Sequence, residues 1–404
     1  MNTLITNIGQ LVTPGGRGPV EGKEMGRLTV LDGAEMRLVD ERIAEIGAAV
    51  DHTGIDATID AMGGVALPGF VDPHTHAVFA ATREEEFLSR IQGTPYSEGG
   101  IQASARAVAA VDEDLLARAA RPFLDRMLAC GTTTVEVKSG YGLSVEGEMK
   151  LLLAIRRLRK LLPMRIVPTF LGAHAFPEQM RRDDYISMII TQMIPIVRRR
   201  RLAAFCDVFC DQGFYTPAEA RTILRAARGA GLRLKLHADE LADVGGAALA
   251  AELEATSADH LLCASEKGLT QMRRAGVIPV LLPGTAFTLG APYAAARRMI
   301  ALGLAVALAT DFNPGTCLIH SMATVVGLAV MKMGMTVEEA ITAATLNAAC
   351  ALDLAEEIGS LEVGKRADVA ILDLETYRQI PYFFAHNLIR SVIQDGKTVY
   401  EACQ

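Results

Sequence analysis

The stretch ALPGFVDPHTH, from Ala66 to His76, ends a short apolar run with two histidines one residue apart. In a β-strand residues i and i+2 lie on the same face, so His74 and His76 would point the same way. Two imidazoles that converge in this manner can share one metal ion. A pair of surface histidines in a loop would give the same spacing. The remainder of the chain therefore has to separate the two interpretations.

Seven further apolar or β-branched runs follow, and longer helical patterns lie between them. The runs are TTTVEVKSG, RIVPTFLGAH, CDVFCDQG, LRLKLHADE, TSADHLL, VIPVLLPG and AVALATDFNPG. One helical pattern begins with Thr216 as cap and Pro217 at the first helical position, and another opens with a capping box of Thr336 and Glu339. Eight strand-then-helix units predict an α/β fold with a (β/α)8 TIM-like barrel. A doubly wound open sheet is the alternative.

Polar residues at the ends of the predicted strands favour the barrel. A barrel gathers functional side chains from the C-terminal ends of several strands, whereas an open sheet concentrates them at one switch point. Here most strands end in such residues: His74, His76, Lys138, Tyr141, His174, Asp211, His237, Glu240, Asp259, His260, Asp311 and Asn313.

The two flanks of the chain have a different texture. Residues 1–66 and 360–404 alternate with period two and are interrupted by Gly, Asp and Pro, which is typical of short strands. We expect both ends to pair into one small β-sandwich domain. Residues 67–359 would then form the barrel domain.

Composition narrows the class of partner. A net charge of -7 over 404 residues argues against nucleic acid or an anionic membrane. The start MNTLITNIGQLVTPGG lacks the basic and apolar segments of a secretory signal, and no apolar window reaches transmembrane length. Seven scattered cysteines show no disulfide framework. We expect a cytoplasmic protein that binds a small molecule and forms a homodimer.

Four residues make a candidate metal set. LRLKLHADE alternates strictly, which points His237 into the barrel, and VALATD places Asp311 at the end of the eighth strand. With His74 and His76 they supply three imidazoles and one carboxylate, and water completes a catalytic shell. Bound metal lowers the pKa of such a water to about 7. The set therefore predicts a hydrolase.

The strand order and this ligand pattern resemble the amidohydrolase superfamily. Finer motifs, PGFVDPHTHAVFAATREEEFLSRIQGTPY, VEVKSGYGL, FLGAHAFP, KLHADEL, SADHL and ALATDFNPGT, resemble the imidazolonepropionase family along nearly the whole chain. Members of that family are zinc- or iron-dependent cyclic amidases. They open 4-imidazolone-5-propanoate with water to give N-formimidoyl-L-glutamate, the third step of histidine degradation.

The resemblance implies one Zn²⁺ or Fe³⁺ per subunit, held by His74, His76, His237 and Asp311. Around the substrate it places Arg83, Tyr96, Tyr141, His174, Glu240, Asn313, Gly315 and Thr316. The chemistry of the residues agrees, because a propanoate tail needs a cation and Arg83 offers a bidentate fork. Tyr141 and His174 can donate hydrogen bonds to the tail or to the ring carbonyl.

Some roles stay open. Glu240, His260 and Asp311 are all candidates to orient the water and carry its proton to the leaving nitrogen. Lys138 is either a buried ion-pair partner or a substrate contact, and Asp211 is either a site residue or a structural hydrogen-bond acceptor. The superfamily lysine that bridges two metals belongs to the fourth strand, where CDVFCDQG has none, so we expect one metal.

Two rival functions remain. The first is another amidohydrolase, either a deaminase of a purine or other aromatic base or a different cyclic amidase. A deaminase has no need of a carboxylate clamp, so Arg83, Tyr141 and His174 count against it. The second is a superfamily member that has lost its metal and serves in assembly or binding. Retention of all four ligand residues counts against that rival.

Overall fold

The computed structural model describes residues 1–92 and 99–402 of the chain. Its helices are α1 Glu84–Ile91, α2 Gly99–Ala109, α3 Glu113–Ala129, α4 Val145–Leu161, α5 Arg182–Met188, α6 Ile194–Arg200, α7 Pro217–Gly229, α8 Gly246–Glu252, α9 Glu266–Ala275, α10 Pro283–Leu289, α11 Ala296–Ala301, α12 Met322–Met333, α13 Val337–Ala344 and α14 Leu346–Cys350. A π-helical turn over Ile189–Met193 joins α5 to α6.

The strands fall into two sheets. The sheet built from the chain ends holds β1 Asn2–Pro14, β2 Leu28–Val39, β3 Arg42–Gly47, β4 Ala57–Asp60, β5 Val65–Pro68, β14 Val369–Leu372, β15 Ile389–Gln394 and β16 Lys397–Glu401. The second sheet holds β6 Phe70–Asp72, β7 Thr132–Lys138, β8 Arg165–Ala173, β9 Phe205–Cys210, β10 Arg233–Ala238, β11 Ser257–His260, β12 Ile278–Leu281 and β13 Ala307–Leu308. The chain changes sheet between Pro68 and Phe70.

The second sheet is a barrel of parallel strands in sequence order, β6 to β13, within the part of the chain that the structure describes. Its first and last strands meet through backbone hydrogen bonds just beyond their ends, from Asp311 N–H to His74 carbonyl at 3.1 Å and from His76 N–H to Phe312 carbonyl at 2.8 Å. Asp72 extends this seam by accepting from the Thr310 hydroxyl at 2.6 Å. The (β/α)8 prediction is confirmed.

The sheet from the chain ends curls towards closure. Beside β3, Ile43 N–H donates to the Lys365 carbonyl at 3.0 Å, and Ala367 N–H donates to the Glu41 carbonyl at 2.9 Å. These bonds draw the β3 edge towards the segment that leads into β14. The strands enclose a hydrophobic core of their own, which includes Ile5, Leu11, Met36, Leu38, Ile43, Val369, Ile371 and Ile393.

Local sequence signals explain where the barrel helices begin. α7 starts with the capping box of Thr216 and Glu219 and carries Pro217 at its first position, and α13 starts with the capping box of Thr336 and Glu339. Each box satisfies backbone N–H groups that have no partner inside the helix. Among the described helices none is both long enough and apolar enough to cross a membrane.

Candidate metal centre and substrate cleft

The four predicted ligands converge at the C-terminal end of the barrel. Oδ1 of Asp311 lies 3.6 Å from Nε2 of His74 and 3.8 Å from Nε2 of His76. Nε2 of His237 lies 3.3 Å from Nε2 of His76. All four side chains are buried. Donor atoms from the first, fifth and eighth strands of the barrel thus lie close together, with Asp311 beside His74 and His76, and His237 beside His76.

Carboxylates behind two of the imidazoles fix their orientation. Nδ1 of His74 is 2.6 Å from Oδ2 of Asp259, and Nδ1 of His237 is 2.9 Å from Oδ2 of Asp207. A histidine that donates Nδ1–H to a carboxylate presents the lone pair of Nε2, as metal-ligating histidines usually do. The His74 ring therefore turns Nε2 towards Asp311, and the ion-pair contact with Asp207 leaves Nε2 of His237 facing His76.

The donor set fits a metal ion. Nε2 of His74 is buried and finds no hydrogen-bond partner among residues 1–92 and 99–402, although an orphaned polar atom there costs free energy. Burial and neighbouring positive groups hold the pKa of His74 and His76 well below its usual range, so both rings are neutral, as ligands must be. Burial raises the pKa of Asp311 to about 6, a cost that a cation would remove.

A network of buried charges forms the floor beneath this set. Nζ of Lys138 lies 2.8 Å from carboxylate oxygens of both Glu136 and Asp207. Nζ of Lys235 lies 3.3 Å from Glu136 and 3.7 Å from Asp259. Lys138 is therefore an ion-pair partner in the barrel interior, and it holds the same carboxylates that orient the histidines. Such charges are tolerated in the interior only because each is paired.

The backbone is strained at the ends of the strands that carry the site. Asp239, His260 and Asp311 adopt the left-handed conformation, with φ of 50°, 77° and 52°. Non-glycine residues pay about 1–3 kcal/mol for such conformations, which persist at functional sites where the surrounding contacts enforce them. The sharp turns direct His260 and Asp311 into the barrel mouth.

A cleft with about 580 Å³ of empty space opens over the metal set. The predicted substrate residues that line it are Arg83, Tyr141, His174, Glu240, Asn313 and Thr316, beside His76, His237, His260 and Asp311. Phe209 and Leu289 add apolar walls. Among the described residues, the cleft thus combines one guanidinium, several imidazoles and the carboxyl group of Glu240 over a set of metal donors.

Glu148 shapes the part of the cleft that holds Tyr141. Its buried carboxylate accepts backbone N–H bonds from Gly140 at 3.0 Å, Gly142 at 2.7 Å and Leu143 at 3.2 Å, which fixes the loop after β7. The Gly140 carbonyl in turn lies 3.1 Å from Nδ1 of His174. One buried carboxylate therefore organises the loop on which Tyr141 and the partner of His174 are placed.

His174 differs from its prediction as a hydrogen-bond donor. Burial beside His237 lowers the pKa of His174 to about 3, so the ring is neutral. Its single N–H is used at Nδ1 by the Gly140 carbonyl, which leaves Nε2 as an acceptor. The local backbone, which the sequence pattern does not reveal, reverses the polarity expected for this side chain.

Asp211 holds the loop that carries Glu240. Oδ2 of Asp211 accepts N–H bonds from Glu240 at 2.6 Å and Leu241 at 2.9 Å, and Oδ1 accepts from Ala242 at 3.1 Å. Oε1 of Glu240 lies 3.4 Å from Nδ1 of His260. Burial, together with Asp311 and Asp211, raises the pKa of Glu240 well above its usual range. Asp211 thus acts through the backbone of Glu240.

Replacing Asp211 with asparagine tests this arrangement. The amide loses one accepting oxygen, so the Glu240 loop loosens, and we expect kcat to fall roughly 10-fold while metal content is unchanged. Steady-state kinetics with elemental analysis measure both. Asp243→Asn is the matched control, because Asp243 lies exposed on the same loop. An unchanged kcat in the Asp211 variant would show that the loop does not depend on this carboxylate.

Three predicted residues remain to be placed. Gly315 lies against Arg83, where a Cβ would collide with the guanidinium. Asn313 uses its amide within its own loop, where Oδ1 accepts from the backbone N–H of Thr316 at 2.7 Å and of Gly315 at 2.9 Å. Tyr96 lies outside the described residues.

Sequence patterns did not identify Glu136, Asp207 and Lys235 as charges of the barrel floor, or the hydroxyl group that holds Asp311. Glu136, Asp207 and Lys235 each have an apolar residue on either side in their strands, and charged residues are almost never fully buried unless paired. A charged residue between apolar neighbours in a strand is therefore the sequence feature that could have identified these three residues. The Thr285 hydroxyl donates to Oδ2 of Asp311 at 2.6 Å, and Thr285 has no comparable mark in the sequence.

Comparison with known proteins agrees with this architecture. Residues 65–399 match the family described as the amidohydrolase family. The imidazolonepropionase of Syntrophobacter fumaroxidans is 49% identical over 389 residues, which cover 92% of this chain and 91% of that protein. The imidazolonepropionase of Symbiobacterium thermophilum is 45% identical, with 99% of this chain and 98% of that protein covered.

Solved structures show the same fold at low identity. Atrazine chlorohydrolase from Arthrobacter aurescens complexed with zinc superposes with a TM-score of 0.75 at 16% identity, covering 99% of this chain and 95% of that one. A Xaa-Pro dipeptidase with bound methionine gives 0.74 at 17% identity and covers both chains fully. The family match over residues 65–399 and the 45% and 49% identity to relatives aligned over nearly the whole chain place it in the amidohydrolase family, among the imidazolonepropionases.

Proposed function

We propose that this protein hydrolyses the ring of 4-imidazolone-5-propanoate to N-formimidoyl-L-glutamate, a step of histidine degradation. One observation carries the proposal: the Arg83 guanidinium lines the same cleft as the metal donors. A cyclic amide with an anionic tail matches that pair of features, because the guanidinium binds carboxylate and the donor set supports hydrolysis. The imidazolonepropionases among its relatives support the same activity.

Different residues of the cleft bind the tail and the ring of the substrate. Arg83 receives the propanoate tail at one end. At the other end the ring lies over the donor set, with its carbonyl towards His76, His237 and Asp311. The free Nε2 of His174 accepts a ring N–H, because its own proton is used by the Gly140 carbonyl. These contacts fix which ring carbon faces the attacking water.

A bound metal would supply a water acidic enough to attack the ring carbonyl at neutral pH. The water oxygen adds to the carbonyl carbon, and the bond from that carbon to the ring nitrogen breaks. One proton of the water passes to the leaving nitrogen.

We propose Glu240, with His260 beside it, as the group that moves this proton. Burial beside Asp311 and Asp211 raises the pKa of Glu240 above its usual range, which favours a carboxyl group that takes up and returns a proton. Asp311 is less suited, because Oδ1 faces His74 and His76 while Oδ2 accepts from the Thr285 hydroxyl. Both carboxylate oxygens of Asp311 are therefore already engaged, which leaves neither for proton transfer.

We propose Zn²⁺ as the metal, on the basis of charge. The buried groups in ion-pair contact with the ligand histidines or with one another are four carboxylates and two ammonium groups, Glu136, Asp207, Asp259, Asp311, Lys138 and Lys235. Four negative and two positive charges leave two negative charges, which a divalent ion neutralises and Fe³⁺ would exceed. Reconstitution of chelated protein with either ion, followed by activity assay, distinguishes them.

The Arg83→Ala variant tests the proposed substrate. We expect its KM for freshly generated 4-imidazolone-5-propanoate to rise roughly 10- to 100-fold, the loss of a charge-assisted pair, with one metal per chain retained. The decrease in ultraviolet absorbance of the substrate gives KM, and elemental analysis gives the metal content. Metal without turnover in the wild-type protein would contradict the ring-opening activity and favour a deaminase.

Two further proposals concern the setting of the enzyme. We propose a cytoplasmic location, supported by the cysteines in the described part of the chain, which are all free thiols. The homodimer stays a prediction, which light scattering coupled to size-exclusion chromatography tests.

A further inference from the structure

We propose that Glu86 and Arg90 are positioning residues that set the orientation of Arg83, the receptor for the substrate tail, and the net charge around it. The inference rests on the proposed function and extends it. Arg83, Glu86 and Arg90 are spaced by three and four residues at the start and along one face of α1, so their side chains are neighbours. We call these three residues the α1 triad.

Glu86 binds one edge of the Arg83 guanidinium. Its Oε1 accepts a hydrogen bond from Nη2 of Arg83 at 3.1 Å, and its Oε2 lies 2.9 Å from Nε as an ion-pair contact, with no hydrogen bond at Nε in the described part of the chain. A guanidinium has a second edge, formed by Nη1 and the other hydrogen of Nη2. Nη1 makes only a 3.5 Å contact, with the Ser104 hydroxyl, in the described part of the chain. Glu86 therefore fixes the fork and leaves an edge for an incoming carboxylate.

Two glycines hold the fork in place from the sides. A Cβ on Gly100 would come within 2.7 Å of Nη2 of Arg83, and a Cβ on Gly315 would overlap the same atom. The guanidinium lies between two backbone segments that approach it closely. Only 7% of the Arg83 side chain is exposed. Its orientation is thus determined by Glu86 and these two walls.

Glu86 alone would neutralise Arg83 and weaken its attraction for a carboxylate. The positive charge of Arg90 offsets the negative charge of Glu86. Its Nη1 lies 3.5 Å from Oε1 of Glu86, and its side chain is only 9% exposed. Nη1 and Nη2 of Arg90 are buried without a hydrogen-bond partner among residues 1–92 and 99–402. Two arginines and one glutamate leave the α1 triad with a net charge of +1, which matches one carboxylate tail.

The test measures binding of 3-(imidazol-4-yl)propanoate and of its uncharged amide to the metal-loaded protein by calorimetry, with substrate turnover in parallel. We expect Arg90→Met, which leaves the α1 triad without net charge, to raise the Kd of the acid roughly 10-fold. Glu86→Gln loosens the fork but raises the net charge to +2, so the two effects oppose each other and the Kd should rise by less. Neither variant should change the Kd of the amide. The double variant restores the net charge of +1, so its loss should also be about 10-fold instead of the product of the two. KM should follow Kd, and kcat should stay constant.

Glu85→Gln is the matched control, since Glu85 lies exposed on the same helix, and it should bind both probes as the wild type does. Equal losses for the acid and the amide would overturn the assignment, as would additive losses in the double variant or a wild type that binds neither probe. Tail-selective binding without substrate turnover would contradict the proposed function and leave the α1 triad intact. The two failures are therefore distinguishable.

Discussion

Replacing His237 with asparagine is expected to strip the metal from the protein and abolish hydrolysis. Nε2 of His237 lies 3.3 Å from Nε2 of His76, and its removal leaves two imidazoles and one carboxylate on a single seam of the barrel. Mutation of groups that only support metal ligands already costs 10- to 100-fold, so loss of a ligand should cost kcat/KM at least about 1000-fold. Elemental analysis and the ultraviolet assay measure both effects.

The control for this variant is His386→Asn, which removes an imidazole that is exposed and far from the cleft residues in sequence. It should keep one metal per chain and full turnover. Retention of both by the His237 variant would contradict the ligand set, and the metal would then have to lie elsewhere. Loss of turnover with the metal retained would make His237 a substrate or proton-transfer residue.

Replacing Lys138 with methionine should destabilise the fold. The ammonium group is fully buried between Glu136 and Asp207, so methionine leaves two buried carboxylates without their nearest cation. Breaking a buried pair in this way costs about 3–5 kcal/mol. Burial alone would lower the pKa of Lys138, but Asp207, Glu136 and Asp259 outweigh it and hold the pKa above its ordinary value.

Because the folded pKa of Lys138 is raised, its contribution is fully present below the unfolded pKa and is lost only in strong alkali. The destabilisation of the variant should therefore not vary across the neutral range. Urea unfolding at several pH values measures it. Lys267→Met is the control, because Lys267 lies exposed on α9. A Lys138 variant as stable as this control would mean that the floor carboxylates take up protons when the lysine is lost.

The barrel, and the proximity of His74, His76, His237 and Asp311 at its C-terminal end, could be predicted because both follow from short sequence periods. Alternation with period two assigns His237 to the inward face, and the strand-end position of Asp311 is visible in VALATD. In this barrel the strands lie side by side in sequence order, so the sequence alone tells which strands are neighbours. The motifs of the family resemblance added the residues around the substrate.

The electrostatic partners could not be read from the sequence. Glu136 and Lys138 are two residues apart on one strand, but the partners Asp207 and Asp259 come from strands whose contact depends on barrel closure. The acceptor role of His174 depends on one backbone carbonyl, that of Gly140. Such features depend on three-dimensional proximity between distant segments, which period and spacing do not encode.

The proposed metal donors come from both sides of the seam between β6 and β13, so tight metal binding requires a barrel that has folded completely. His74 and Asp311 are joined there by a backbone hydrogen bond, although they come from the first and last strands of the barrel. A nascent chain that has not yet added β13 lacks the carboxylate donor, and long-range contacts of this kind form late because loop closure costs entropy. Metal capture then favours the closed barrel over open intermediates, since the binding free energy becomes available only after the last strand has docked.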